Sequence, residues 1–96
     1  MKLLTKKLLE NFPPLYSQEE VSDPVAIARF YDTLGNWSWY AIEFDGKNLF
    51  FGLVIGFERE LGYFPLAELE QINEAAGFNR IERDSSFSPV PISKID

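Results

Sequence analysis

Carboxylates are the side chains whose spacing in this chain could support chemistry. Glu58 and Glu60 lie two apart in a run of period two, so a strand places both on one face. Glu43 and Asp45 repeat that spacing, and Glu70 and Glu74 fit one face of a helix. Such pairs suit a hard cation such as Mg²⁺ or Ca²⁺, but the chain has neither calcium-loop spacing nor a phosphate-cradling glycine motif. There is no histidine and no cysteine, which removes the usual general base at neutral pH, the thiolate and imidazole metal ligands, and every Ser-His or Cys-His nucleophile. Ser85 and Ser86, beside Arg83 and Asp84, therefore have no imidazole to activate them. The acids read as solvated surface charge, with Glu58 and Glu60 as the alternative metal pair; no cofactor is expected.

Aromatic residues are the other concentration of chemically useful side chains. Both tryptophans fall in Trp-Ser-Trp-Tyr at 37–40, which opens a run continuing through Asp45-Gly46 to Leu-Phe-Phe-Gly-Leu-Val-Ile-Gly-Phe at 49–57. Asp-Gly between runs of aromatic and β-branched residues signals a hairpin, because glycine tolerates the positive φ of a twisted turn. Residues 37–44 and 48–57 are accordingly read as antiparallel partners. A two-residue loop puts Phe44 opposite Lys47 and a four-residue loop puts it opposite Leu49; both give the same parity. One face then carries Tyr40, Ile42, Phe44, Leu49, Phe51, Leu53 and Ile55 and is expected to be the main core. The other carries Trp37, Trp39, Ala41, Glu43, Phe50, Gly52, Val54 and Gly56, with indole lying over strand glycine. This second face is either covered by the terminal segments or offers an aromatic surface to a partner, rimmed by Glu43 and Asp45.

The elements that must position these faces are short. Thr5 caps a helix from Lys6 to Phe12 that Pro13-Pro14 stops, with Leu4 and Leu9 as a staple. Leu15 to Pro24 reads as a loop, and residues 25–31 as a strand joined to the tryptophan strand in a meander. After Gly56 a tight turn near Glu58 to Glu60 is favoured over one continuous strand from 48 to 64. Pro65 starts a helix whose Leu66, Leu69, Ile72 and Ala76 line one face, and Gly77 ends it. A short strand at 80–84 and an extended, proline-limited segment at 87–92 complete the chain. Arg29 and Arg59 lie among apolar strand residues, where arginine snorkels or finds a carboxylate.

Composition narrows the function classes. A chain of 96 residues with 46% apolar and 16% aromatic content is read as one folded domain. The net charge of −6 works against a phosphate backbone, so direct nucleic-acid binding is not expected. No apolar run reaches bilayer-spanning length, and Met1 to Leu9 is too short for a signal peptide, which predicts a soluble, cytoplasmic protein without membrane partners.

The order of motifs resembles a known family. Leu-Leu-Thr-Lys at 3–6, Pro-Pro-Leu-Tyr at 13–16, Trp-Ser-Trp-Tyr at 37–40 and Glu-Phe-Asp-Gly at 43–46 form the first half of the pattern. Phe-Phe-Gly-Leu-Val-Ile-Gly at 50–56, Glu-Leu-Gly-Tyr-Phe at 60–64, Leu-Ala-Glu-Leu-Glu at 66–70 and Ile-Glu-Arg-Asp at 81–84 form the second. Together they resemble a domain-of-unknown-function family of short bacterial proteins, often encoded on plasmids, phages and conjugative elements. The resemblance implies an accessory role in transfer or in countering host defence, and brings no catalytic residues. It also implies Ser, a helix cap, where this chain has Pro65.

The expected fold is α+β, an antiparallel sheet of about four or five strands centred on the 37–57 hairpin with short helices packed against it. The expected function is a non-enzymatic module that binds an unidentified protein partner through Trp37, Trp39, Phe50, Glu43 and Asp45. A carboxylate-dependent metal binder or enzyme using Glu58 and Glu60 is the alternative.

Overall fold

The computed structural model describes residues 3–95. In chain order these form α1 (Lys6–Leu9), β1 (Val25–Ala26), β2 (Ala28–Asp32), β3 (Ser38–Phe44), β4 (Leu49–Ile55), β5 (Arg59–Pro65), α2 (Leu66–Ala76), β6 (Ile81–Arg83), β7 (Val90–Pro91) and a 3₁₀ turn at Ile92–Lys94. Strands β2 to β5 run as a meander, and β6 returns beside β2, giving an antiparallel five-stranded sheet in the order β5-β4-β3-β2-β6. β1 and β7 make a separate two-stranded pair. The fold is thus α+β, as the hairpin and helix patterns imply. The segment expected as one strand at 25–31 is divided, because Ile27 donates its N–H to the Ala41 carbonyl while Val25 and Ala26 turn away to β7.

The central hairpin forms, with Gly46 at φ +86° as the turn requires. Its register, however, overturns the expected division of faces. Phe44 pairs with Phe50, not with Lys47 or Leu49, and the register shifts between Ala41 and Glu43. Ile42 is the extra residue of a β-bulge, which bends the strand and reverses the parity beyond it. Trp39 and Ala41 therefore share a face with Val54 and Gly52, and past the bulge Phe44 joins them beside Phe50. Glu43 is moved to the opposite face, next to Phe51.

That tryptophan face, not the Tyr40 face, is the main core. Phe30, Trp39, Ala41, Phe44, Phe50, Phe64 and Ile81 form one buried cluster with Leu69 of α2 and Leu3 of the N-terminal segment. Leu8 and Phe12 pack against the same cluster, so the N-terminal segment joins α2 in covering this side. Phe50 is its centre, stacked on Phe44 at 4.4 Å and on Phe64 at 5.1 Å, with Phe30 and Phe12 at 5.5 and 5.6 Å.

The turn after β4 falls at Gly56 to Glu58, where Ile55 pairs with Arg59 across it, so residues 48–64 are two strands. Pro65 occupies the N-cap of α2 and makes no side-chain cap bond. Asn48 supplies the missing acceptors from the hairpin loop: its carbonyl takes the Leu66 N–H at 2.7 Å and its Oδ1 the Ala67 N–H at 2.9 Å. Gly77, at φ +78°, ends the helix as expected. Ala76, by contrast, is exposed and takes no part in the packed face. α1 stops at Leu9, three residues short of the expected end, although Thr5 Oγ1 caps it by accepting the Leu8 N–H.

Gly52 lets the neighbouring strand approach closely, since a Cβ there would overlap the Tyr40 carbonyl just before the bulge. Gly52→Ala is expected to cost about 1–3 kcal/mol through overpacking, read as a lower urea midpoint with unchanged slope. Gly62→Ala is the comparator: a Cβ there meets nothing within 4 Å, and no loss of midpoint is expected.

Candidate interaction site

Trp37 stands just before β3, where the chain turns into the sheet, and is 36% exposed. Its indole covers Gly56, where an added Cβ would come within 2.5 Å of the ring carbons. Indole therefore does lie over a glycine, though Gly56 is in the turn after β4 and not in the strand. The ring lies tilted by 32° against Trp39 at 6.0 Å, and Phe57 meets it in an edge arrangement at 5.5 Å and 82°. Phe57 sits in the tight turn between β4 and β5, closed by the Gly56 N–H donating to the Glu58 carbonyl, and is 95% exposed.

Two hollows flank the Trp37 ring. One, of about 290 Å³, is lined by Trp37, Val54, Phe57, Glu58 and Glu60. The other, of about 350 Å³, is lined by Trp37, Trp39, Ile72, Glu68, Asp32 and Arg80. Of these acids only Asp32 has a cationic partner among the described residues, accepting from Arg80 Nε and Nη2 at 2.9 and 3.0 Å. This bidentate contact holds the Asp32 carboxyl below, and the Arg80 guanidinium above, their ordinary ranges. Glu60 is shifted the other way, upward, by a hydrogen bond with Glu58 first and by repulsion from that carboxylate second. Glu58, Glu60 and Glu68 thus leave an uncompensated acidic rim around an exposed aromatic pair.

The residues expected to form a binding face are separated by the structure. Trp39 is 8% exposed and Phe50 wholly buried, both in the core cluster. The bulge carries Glu43 to the other side of the sheet, 1% exposed, where Oε1 accepts the Tyr16 N–H at 2.8 Å and Oε2 the Gln18 N–H at 2.7 Å. These bonds hold the 13–20 loop over that face and fix Tyr16 at φ +70°, a left-handed backbone that a bulky residue rarely adopts. Asp45 remains exposed in the hairpin loop, where Oδ1 accepts the N–H groups of Lys47, Asn48 and Leu49 and keeps its carboxyl below the usual range. Trp37 is the one of the five that meets the exposed aromatic corner. Phe57 and Glu68 complete the corner without having been singled out; the brevity of the Gly56-Phe57-Glu58 turn, which leaves the phenyl no core to reach, was the signal for Phe57.

The Glu58 and Glu60 carboxylates do approach each other, although Glu58 lies in the turn and not on a strand face. Among the described residues no group of three or more His, Cys, Asp or Glu is placed to hold a metal ion. Arg29 finds a carboxylate in Asp84 at 3.1 Å, while Arg59 donates to the carbonyls of Ile92 and Ile95. No helix among the described residues is long and apolar enough to cross a membrane.

Two measurements test this electrostatic layout. Glu43→Ala leaves two N–H groups without their carboxylate and is expected to lower stability by about 2–4 kcal/mol, with faster amide exchange at Tyr16 and Gln18. Because the Glu60 pKa is raised in the folded state, the Glu58–Glu60 contact favours the fold at low pH and is lost as pH rises through that pKa. In an NMR titration the Glu60 carboxyl is expected to titrate above the usual glutamate value, and Glu58→Gln is expected to bring it down.

No curated protein and no solved structure matches the chain. A family model does: residues 2–94 match the model described as "Protein of unknown function (DUF2958)", and the chain belongs to that family.

Proposed function

We propose that this protein is a non-enzymatic interaction module that captures a partner protein at the Trp37–Phe57 corner. One observation carries the reading: a phenyl ring that is 95% exposed, braced edge-on by an indole and bordered by carboxylates without cationic partners. An exposed phenylalanine contributes nothing to the core, whereas aromatic rings are the usual anchors of interfaces. The chemistry that fits is a segment presenting lysine or arginine beside an apolar side chain. The cation would lie beside Glu58 and Glu60 in the hollow they line with Trp37, and the apolar group would rest on Phe57.

The net charge of −6 supports a basic protein surface over nucleic acid as the partner. The resemblance to proteins of plasmids, phages and conjugative elements supports an accessory or anti-defence setting in the bacterial cytoplasm, with the module acting by occluding a host protein. Trp39 belongs to this proposal as the buried support of Trp37, and Phe50 as the core beneath the sheet.

The test compares wild type with Trp37→Ala, Phe57→Ala and Glu58→Gln/Glu60→Gln in crosslinking capture from a bacterial lysate, with NMR spectra confirming the fold. Phe57→Ala is expected to change stability by less than about 0.5 kcal/mol and still reduce capture tenfold or more. The double glutamate variant is expected to weaken capture and flatten its salt dependence. Capture equal to wild type in folded Phe57→Ala would remove this corner as the site.

A further inference from the structure

A hollow of about 690 Å³ lies away from the Trp37 corner and shares no lining residue with it. It opens between the N-terminal segment, the hairpin loop and β6, and three cationic residues, Lys6, Lys47 and Arg83, line it with no carboxylate among the lining residues. In a chain with fifteen acids against nine bases, this convergence runs opposite to the overall charge. The other arginines are engaged: Arg29 with Asp84, Arg80 with Asp32, and Arg59 with two backbone carbonyls. Arg83 has no ion-pair partner among the described residues; its Nε, like that of Arg29, is buried without a hydrogen bond. Asp45, two residues before Lys47, spends Oδ1 on three turn N–H groups and does not line the cavity.

An anion entering this space would meet three cationic side chains and no lining carboxylate. Thr5 adds a donor: its Oγ1 accepts the Leu8 N–H, which leaves the hydroxyl proton free to point into the cavity it lines. Phe44 and Leu66 form an apolar wall of the same space. The volume falls within the range of small-molecule sites, which combine an apolar lining with a few polar groups that fix orientation. We infer that this cavity binds a small organic phosphate, its phosphoryl oxygens held by Arg83, Lys47, Lys6 and the Thr5 hydroxyl, and its aromatic or aliphatic body lying against Phe44 and Leu66. The guanidinium fork and two ammonium groups suit a dianion with several acceptor oxygens better than a single carboxylate.

The probes are phenyl phosphate, inorganic phosphate and benzyl alcohol, titrated up to about 10 mM into ¹⁵N-labelled protein at low salt. Phenyl phosphate is expected to move the amide signals of Thr5, Lys6, Gly46 and Lys47 and to raise the melting temperature. Inorganic phosphate is expected to move the same signals with weaker affinity, and benzyl alcohol alone to leave them in place. Arg83→Gln is expected to weaken phenyl phosphate at least tenfold and Lys47→Ala several-fold. Lys7→Ala, on the same helix but outside the lining, is expected to bind as wild type does. Should Arg83→Gln unfold, Lys6→Ala/Lys47→Ala carries the same test from the exposed side of the cavity. Absence of shifts with either phosphate, or equal affinity in wild type and these folded variants, would overturn the assignment. Trp37→Ala/Phe57→Ala is expected to retain phosphate binding, so failure of the protein-binding proposal and failure of this one are read separately.

Discussion

The bulge at Ile42 is the constraint on which the rest depends. One extra residue in β3 turns Phe44 toward the helices and Glu43 away from them, so a single strand serves both layers of the molecule. Phe44 closes the aromatic stack on Phe50, while Glu43 becomes the buried anchor for the loop on the far side. Neither role is possible in a regular strand, where Phe44 would share the face of Tyr40 and lose Phe50. Gly52 belongs to the same device, since the carbonyl of Tyr40 leans into the space that a side chain on β4 would fill.

Much of the architecture was legible because the signals were local. Asp45-Gly46 specified a turn by the φ it needs, and Gly77 ended a helix in the left-handed region; a reversal after Gly56 was also legible, but it falls at Gly56 to Glu58 and not at Glu58 to Glu60, since Arg59 and Glu60 already pair in β5. The parity of the hairpin was not legible, because Ile42 is a good strand residue with nothing in its type to mark it as unpaired. With parity lost, the core was assigned to the wrong face, and Glu43 was placed on a rim when it lies in the interior. The remaining surprises are bonds between distant segments: Asn48 capping a helix that starts at Leu66, and Asn73 bonding the N–H and C=O of Ile81 to align β6. No periodicity within either segment encodes these.

The aromatic corner is what is left when those demands are met. Trp37 divides its surface between covering Gly56 and supporting Phe57, so its orientation is held by the sheet while part of the ring stays in water. A side chain fixed in this way loses little rotamer freedom on meeting a partner, which is why rigid aromatics make economical contacts. The acids beside it have no cationic partner among the described residues, while Arg29, Arg80 and Arg59 are bonded to Asp84, Asp32 and the C-terminal carbonyls. Distribution of charge, more than its total, distinguishes the two ends of the molecule.

The sheet order leaves β5 at an outer edge, with β4 as its only strand neighbour. The N–H and C=O groups of this seven-residue strand that point away from β4 would ordinarily template the addition of another chain, the first step of edge-to-edge aggregation. Here the strand begins with Arg59 and Glu60 directly after Glu58, and it ends on Pro65, which has no N–H to offer. Arg59 is also tied back to the C-terminal turn, so that turn is drawn toward the start of the strand. The unguarded length shrinks to residues 61–64, too short a ledge for a foreign strand to settle in register. The same charges that border the aromatic corner therefore guard solubility, and neutralising them to study binding also removes a barrier to self-assembly.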